Sequence, residues 1–129
     1  MGLYDFSFYD LINRNAVAFG ERICWQEIDD GRQVSFAEYK RQVDRLAVGL
    51  AGAGIAKGDR LGVVGKNSFE FFLVYGAAAA LGAIVLPVNW RLSADEMVFN
   101  LNDCQAKIAF VDAEFQAALA ARREKLPSV

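Results

Sequence analysis

The chain has 129 residues, of which 54% are hydrophobic, and its 14 basic and 16 acidic residues give a net charge of −2. This length suits one domain with its own core, the apolar content excludes a disordered chain, and the near-neutral charge does not favour nucleic acid or an anionic membrane as a partner. The absence of histidine excludes Ser-His-Asp and Cys-His catalytic pairs, and it argues against a zinc site.

The first elements that the sequence predicts form a β-hairpin. Glu21 to Ile28 is rich in residues that favour strands, and Arg32 to Ser35 provides the second strand. Between them, Asp30-Gly31 fits a two-residue turn with glycine at a positive φ.

A long helix is predicted next. Ser35 and Glu38 have the spacing of a capping box, and Gly52 and Gly54 predict the end of the helix. The residues that recur at helical spacing on its apolar face are Tyr39, Val43, Leu46, Ala47 and Leu50.

From residue 60 onward, strands alternate with helices. The predicted strands are Arg60–Gly65, Ala83–Leu86 and Lys107–Val111. The predicted helices are Phe69–Leu81, Ala94–Asn102 and a last helix after Asp112 that contains Phe115, Leu119 and Leu126. This alternation predicts an α/β fold, with a parallel sheet, helices on both of its faces and the N-terminal β-hairpin.

Polar residues mark the ends of these later helices. Ser93 and Glu96 form a second capping box, Asp112 is predicted to cap the last helix, and Pro127 to stop it. The basic residues between 122 and 125 fit the carboxyl end of that helix. A phosphoacceptor role for Asp112 would need acidic partners and a later lysine around Mg²⁺, so capping is the favoured role.

Phe71 to Val88 is an uncharged run of eighteen residues, which is numerically enough for a membrane span. Gly76, Gly82 and Pro87 interrupt the run, and its alanines are weakly hydrophobic. We therefore expect a buried helix followed by a buried strand, and no transmembrane segment.

The cysteines and the N-terminus indicate the compartment. Cys24 and Cys104 form no C-x-x-C pair, which predicts free thiols. The first ten residues, MGLYDFSFYD, carry acids where a signal peptide carries bases. We therefore expect a cytoplasmic protein.

The stretch RLGVVGKNSFEFF, from Arg60 to Phe72, contains the Gly-Lys pair of a phosphate-binding turn. A Walker loop also needs a glycine five residues before Gly65 and Ser or Thr after Lys66, but an arginine and an asparagine stand there. We predict a strand-to-helix connector in which Asn67 and Glu70 cap the helix. A weaker anion site near Lys66 is the alternative.

Three segments, taken in order, resemble the amino-terminal portion of acyl-CoA synthetases, which belong to the adenylate-forming superfamily. The segments are VSFAEYKRQVDRLAVGLAGAGIAKGDRLGVVGKNSFEFF, AAAALGAIVLPVNWRLSADEM and LNDCQAKIAFVD. They contain the family's Asn-Ser-x-Glu-Phe sequence, its Pro-x-Asn-x-Arg-Leu loop and its Asn-Asp-x-x-x-Lys strand. The resemblance covers the chain from about Leu11 to Val129.

The resemblance implies a two-step reaction that uses ATP, Mg²⁺ and CoA. A small-molecule carboxylic acid and ATP give an acyl adenylate and pyrophosphate, and the CoA thiol then displaces AMP. Fatty acids are the favoured substrates, and aryl acids are the alternative.

Family members are several times longer, so the resemblance also implies that residues 1–129 are a single partial domain. The family's Gly-rich ATP loop and its C-terminal domain have no counterpart in this sequence. We expect the 129-residue chain to be inactive alone, with no catalytic residue, no metal ligand and no bound cofactor. The competing hypothesis is a stand-alone binding or scaffold domain without catalysis.

One loop is a candidate ligand contact. Asn89, Trp90 and Arg91 match the family loop that borders the CoA tunnel, where the indole would line the path and the guanidinium would meet a phosphate or a carboxylate. The alternative is a structural loop in which Arg91 pairs with Asp95 or Glu96. We also expect helix Phe69–Leu81 to leave apolar surface uncovered, through which a homodimer would form.

Overall fold

A computed structural model describes residues 6–129, which include five α-helices, five β-strands and one 3₁₀ helix. The chain divides into two units: unit 1 is Met1–Gly54 with Ser68–Leu81, and unit 2 is Ile55–Asn67 with Gly82–Val129. The α/β class is confirmed, with a parallel sheet flanked by helices and an antiparallel hairpin.

Unit 1 contains helices α1, α2 and α3 and the hairpin strands β1 and β2. The bounds are α1 Phe8–Phe19, β1 Ile23–Gln26, β2 Gln33–Ser35, α2 Phe36–Gly52 and α3 Phe69–Leu81. Helix α1 was not predicted. It begins with a complete capping box, in which Ser7 accepts from the Asp10 N–H and the Asp10 carboxylate accepts from the Ser7 N–H. The Ser-x-x-Asp spacing was the sequence signal for it.

The hairpin forms as predicted, but the predicted two-residue turn is wrong. Six residues separate β1 from β2, and the Glu27 N–H donates to the Arg32 carbonyl at 2.9 Å. Gly31 does have a positive φ of 71°. The Asp30 side chain accepts from the Arg32 N–H at 2.8 Å, and this bond stabilises a wider loop than the two-residue turn.

In unit 1, helices α2 and α3 begin at the predicted places, but their capping hydrogen bonds differ from those predicted. At α2, the Ser35 hydroxyl accepts from the Glu38 N–H, while the Glu38 carboxylate bonds Arg41 and Gln42 instead of closing the box. The expected Asn67 and Glu70 pair at α3 is wrong. The Ser68 hydroxyl accepts from the Phe71 N–H there.

The Glu70 carboxylate forms an ion pair with Arg32 at 2.7 Å, so it is not available to cap α3. The carboxylate of Glu27, which lies in the hairpin, caps the start of α3 instead. Glu27 accepts from the Phe69 N–H at 2.6 Å, which satisfies one of the free amides of the first turn.

One core cluster of unit 1 contains the buried residues Ile12, Val34, Tyr39, Val43 and Phe69, and the aromatic side chains of Trp25 and Phe72 pack against it. The Tyr39 ring stacks on Phe72 with centroids 4.7 Å apart, and its hydroxyl donates to the Phe72 carbonyl at 3.1 Å. Burial raises the pKa of Tyr39 above its ordinary value, so the ring remains a neutral donor. On the predicted apolar face of α2, four residues are buried and Leu46 is half-buried.

Unit 2 contains a three-stranded parallel sheet in the order β4-β3-β5, with helices α4 and α5 and a short 3₁₀ helix. The bounds are β3 Arg60–Val64, β4 Ile84–Val88, α4 Ala94–Asp103, β5 Ile108–Val111, α5 Ala113–Ala120 and the 3₁₀ helix Arg123–Lys125. The Ser93 and Glu96 capping box at α4 is confirmed. One core cluster contains Val64, Val88, Met97, Val98, Leu101, Ala106, Leu119 and Leu126, and Ile55, Leu61 and Val63 are buried as well.

Strand β4 extends beyond its predicted end at Leu86. Pro87 pairs with Val63, and Val88 with Val64. A proline cannot donate to a neighbouring strand, but β4 lies at the edge of this sheet, where such a donor is not required.

The last predicted helix is shorter than expected, since α5 ends at Ala120. The Arg122 guanidinium donates to the Ala118 carbonyl at 3.0 Å and forms an ion pair with Asp95 on α4 at 2.9 Å. After α5 the chain forms the 3₁₀ helix, and Leu126, the residue that follows it, is buried in the core. Hydrogen bonds from Arg122 and Lys125 hold the pKa of Asp95 below its ordinary value.

The expectation of apolar exposure on α3 holds only in part. Its large apolar side chains are buried or half-buried. The exposed ones lie elsewhere: Phe6, Phe8, Leu11, Val17, Phe19, Ile23, Ile28, Val48, Ile84 and Phe99. The uncharged run is divided between α3 and β4, as predicted, but the expected burial of the strand is wrong, because Val88 is its one buried residue and Ile84 and Pro87 are exposed. Within residues 6–129, no helix combines the length and apolar character needed to cross a membrane. Both cysteines are free thiols.

The packing of α3 in unit 1 generates a stability test at Gly76. A Cβ there would lie 2.5 Å from Val43 Cγ2 and 2.7 Å from the Tyr39 hydroxyl oxygen. We expect Gly76→Ala to lower the free energy of unfolding by about 1–3 kcal/mol, because overpacking outweighs the helix propensity that alanine gains. Urea denaturation measures the change.

The matched control is Gly49→Ala, because Gly49 also lies within a helix but nothing approaches its missing Cβ within 4 Å. That variant should be more stable by about 0.4–1 kcal/mol. Equal effects at the two glycines would contradict the packing argument.

Candidate functional site

The parallel sheet of unit 2 brings three strand ends to one edge. Val64, at the end of β3, pairs with Val88 on one side and Val111 on the other. The residues that follow these strands therefore emerge at the same edge, where open α/β sheets bind their ligands. This edge holds the candidate site.

The first feature of the edge is a contact between the β3 and β5 ends. The Asp112 carboxylate accepts from the Lys66 N–H at 2.9 Å, and the Asp112 N–H donates to the Val64 carbonyl at 2.9 Å. A Cβ on Gly65 would lie 2.5 Å from the Asp112 carboxylate oxygen Oδ2, so glycine is required for this close approach.

These contacts correct one prediction and support another. Asp112 does occupy the N-cap position of α5, but its side chain makes no capping hydrogen bond and is directed at the Lys66 amide instead. Gly65-Lys66 is a connector, as predicted. The alternative of an anion site at this turn is disfavoured, because the amide that would meet the anion already binds a carboxylate.

The second feature is an aromatic ring with two cations. The Lys66 ammonium lies 5.1 Å from the centroid of the Trp90 ring, and the Arg91 guanidinium carbon lies 4.2 Å from it. Lys66 also forms an ion pair with Glu114 on α5 at 2.7 Å, between side chains that are about half exposed. We call Lys66, Trp90, Arg91, Asp112 and Glu114 the carboxyl-end cluster.

The predicted loop residues all lie at this edge. The Asn89 side chain accepts from the Arg91 N–H at 3.0 Å, and the Asn89 carbonyl accepts from the Leu92 N–H at 3.2 Å, so Asn89 shapes the loop. Trp90 is half-buried, whereas Asn89 and Arg91 are exposed. A ligand in solution would therefore meet the guanidinium and one part of the indole.

The pairing of Arg91 with Asp95 or Glu96 that the structural alternative expects is not formed. Asp95 pairs with Arg122 and Lys125, and Glu96 accepts from Ser93 in the capping box. The guanidinium instead lies over the adjacent indole.

Sequence reasoning identified the loop but not its partners. It considered Lys66 as a phosphate ligand, without a link to Trp90, and gave no signal for Glu114, because that contact spans 48 positions. Among residues 6–129, no group of three or more His, Cys, Asp or Glu is arranged to hold a metal ion. Lys66 is paired with Glu114, so the Arg91 guanidinium and the half-buried Trp90 ring are the groups of the cluster that can contact an anionic ligand.

The fold is that of an α/β protein in which the loop of Asn89, Trp90 and Arg91 lies at the carboxyl end of a parallel sheet. A family model described as AMP-binding enzyme matches residues 12–129. The chain therefore belongs to the AMP-binding enzyme family.

Curated relatives support this assignment. A fatty acid–[acyl-carrier-protein] ligase, ScoC, from Streptomyces coeruleorubidus is 33% identical over 99 residues, which cover 77% of this chain and 18% of ScoC. An indoleacetate–CoA ligase from Aromatoleum aromaticum is 37% identical over 98 residues, which cover 76% of this chain and 19% of the ligase. The chain spans about a fifth of the length of these relatives.

Solved structures agree. The N-terminal domain of FACL13 from Mycobacterium tuberculosis, determined with an inhibitor, superposes with a TM-score of 0.87 at 30% identity. The superposition covers 91% of this chain and 29% of that domain. The predicted resemblance to adenylate-forming enzymes is thereby confirmed.

The Gly65–Asp112 contact can be tested by a double-mutant cycle. Gly65→Ala should lower the free energy of unfolding by about 1–3 kcal/mol, because its Cβ displaces the carboxylate. In an Asp112→Ala background the same change should cost at least about 1 kcal/mol less, because the two sites are in contact. Chemical denaturation of the wild type, the two single variants and the double variant gives the coupling free energy. Additive effects would contradict the geometry.

The Gly-Lys turn predicts a binding result. Asp112 accepts the hydrogen bond of the Lys66 amide, and Glu114 pairs with the Lys66 ammonium. We therefore expect that the 129-residue chain does not bind ATP with micromolar affinity. Isothermal titration calorimetry with Mg²⁺-ATP measures this, and buffer dilution heats are the control. Micromolar affinity would show that the turn accepts phosphates after all.

Proposed function

We propose that the chain forms the N-terminal part of an acid–CoA ligase. The carboxylate of the acid attacks the α-phosphorus of ATP and releases pyrophosphate, and the CoA thiol then attacks the acyl carbon and releases AMP. The family match over residues 12–129 and the ligase names of the relatives support this proposal. ATP and Mg²⁺ would be held by parts of a longer protein, and residues 1–129 alone would be a partial, inactive domain.

Within that reaction, we propose that the loop Asn89, Trp90 and Arg91 contacts CoA. The observation that carries the proposal is the Arg91 guanidinium over the Trp90 ring at 4.2 Å. This pair fits CoA, which carries both phosphates and an adenine. The guanidinium supplies donors for a phosphate, and the indole supplies an apolar face for the ring or for the thiol-bearing arm. None of these residues would take part in bond making.

For the acid, we propose a fatty acid first and an aryl acid as the second candidate. ScoC is named for a fatty acid, and a relative of comparable similarity is named for indoleacetate, which contains an aromatic ring. Product analysis after incubation with a fatty acid and an aryl acid in competition distinguishes the two.

A cytoplasmic location and a homodimer through exposed apolar residues stay part of the proposal. The exposed apolar side chains on α1 support a contact of that kind. The stand-alone scaffold is the competing function, and a thioester formed by the enzyme that contains this chain would exclude it.

The CoA assignment is tested by Arg91→Ala and Trp90→Ala in the enzyme that contains this chain. We expect the KM for CoA to rise about ten- to a hundredfold for Arg91→Ala, because a charge-assisted hydrogen bond is lost. The rate of acid-dependent ATP–pyrophosphate exchange should stay unchanged, because that step precedes CoA binding.

The control is Arg14→Ala, which removes an exposed arginine from α1. It should change neither quantity. An unchanged KM for CoA in both loop variants, or an equal loss in both half-reactions, would contradict the assignment.

A further inference from the structure

Lys66 and Glu114 lie outside the loop of Asn89, Trp90 and Arg91, yet Lys66 contacts the ring of that loop. We propose that Lys66 is a positioning residue that fixes the Trp90 ring, and that Glu114 holds the Lys66 side chain in place. The inference rests on the proposed CoA contact for its consequence in catalysis. The positioning itself is a property of the chain alone.

The Lys66 backbone is held in place by its neighbours. Its N–H donates to Asp112 at 2.9 Å, and Gly65 before it permits a carboxylate within a distance that any side chain would block. The residue that carries the ammonium is therefore anchored to the ends of β3 and β5.

The Lys66 side chain is held by an ion pair. The ammonium lies between an anion and a ring, at 2.7 Å from one Glu114 carboxylate oxygen, 3.1 Å from the other, and 5.1 Å from the Trp90 centroid. A lysine with a flexible four-carbon stem has many conformers, and the ion pair selects the one that reaches the ring. Glu114 lies in the first turn of α5, so this anchor belongs to a regular element.

Arg91 cannot supply the same constraint. It is the neighbour of Trp90 in the same loop, so the two side chains move together if the loop moves. Lys66 belongs to another segment of the sheet edge, and its contact links the loop to β3. Loss of the Lys66 contact should therefore change the order of the loop more than the free energy of unfolding of the chain. Half-exposed ion pairs such as Lys66–Glu114 contribute little to that free energy.

The first experiment follows the Trp90 indole N–H in the 129-residue chain by ¹H–¹⁵N NMR. The chain has two tryptophans, so Trp90→Phe assigns the signals. Trp25, whose indole donates to Glu27 in unit 1, serves as an internal reference. Lys66→Met keeps the length of the stem and removes the charge. We expect it to shift and broaden the Trp90 signal and to leave the Trp25 signal in place.

Two further variants separate charge from packing. Lys66→Arg should retain the wild-type Trp90 signal, because a cation remains. Glu114→Gln should produce a smaller change in the same direction as Lys66→Met, and 1 M salt should reproduce part of it in the wild type. The control is Lys107→Met, which removes a lysine of similar exposure from a 2.7 Å ion pair with Asp59 in unit 2.

The outcomes decide the proposal. A Trp90 signal in Lys66→Met that superposes on the wild type overturns it, as does an equal change in Lys107→Met. A change specific to Lys66→Met and restored in Lys66→Arg supports it.

The second experiment uses the enzyme that contains this chain. Lys66→Met should raise the KM for CoA about two- to fivefold, which is the size of one exposed cation–π contact, with ATP–pyrophosphate exchange unaffected. If Trp90→Ala leaves the KM for CoA unchanged, the proposed CoA contact fails, while the NMR result still decides the positioning role.

Discussion

The parallel pairing of β3 with strands on both of its sides is the constraint on which the site depends. The registers place Val64 opposite Val88 and Val111, and all three are followed at once by residues of the site edge. A shift of one residue in either register would turn every side chain of that strand to the other face. The contacts of Asp112 and Trp90 with Lys66 therefore follow from the registers of β5 and β4 against the largely buried strand β3.

The elements themselves could be predicted because their signals are local. The apolar runs at β3 and β5 and the Ser93 and Glu96 pair lie within a few residues, and the structure confirms each of them. Where a signal had two interpretations, the prediction was less accurate. The sequence predicts that β4 ends before Pro87, because a strand tolerates proline at the edge of a sheet and the sequence does not show which strands lie there.

The contacts of the site could not be predicted, because their partners are distant in sequence. The Asp112 carboxylate was assigned to its own helix, which is the usual partner of an aspartate at that position. Its actual donor, the Lys66 amide, lies 46 residues earlier and becomes a neighbour only through the β3–β5 pairing. The same pairing explains Lys66 and Glu114. Only the loop at Asn89 to Arg91 was found in advance, through a resemblance to a family.

The relatives also constrain what this part of the chain can select. Enzymes named for a fatty acid and for indoleacetate share 33% and 37% of their aligned residues with it. Residues common to both cannot distinguish the two acids. The carboxyl-end cluster agrees with this inference, because its members other than Trp90 are charged and offer a long hydrocarbon no apolar surface beyond one indole. Within the proposed reaction, these residues would serve the step that all substrates share, and the choice of acid would belong to side chains outside the cluster.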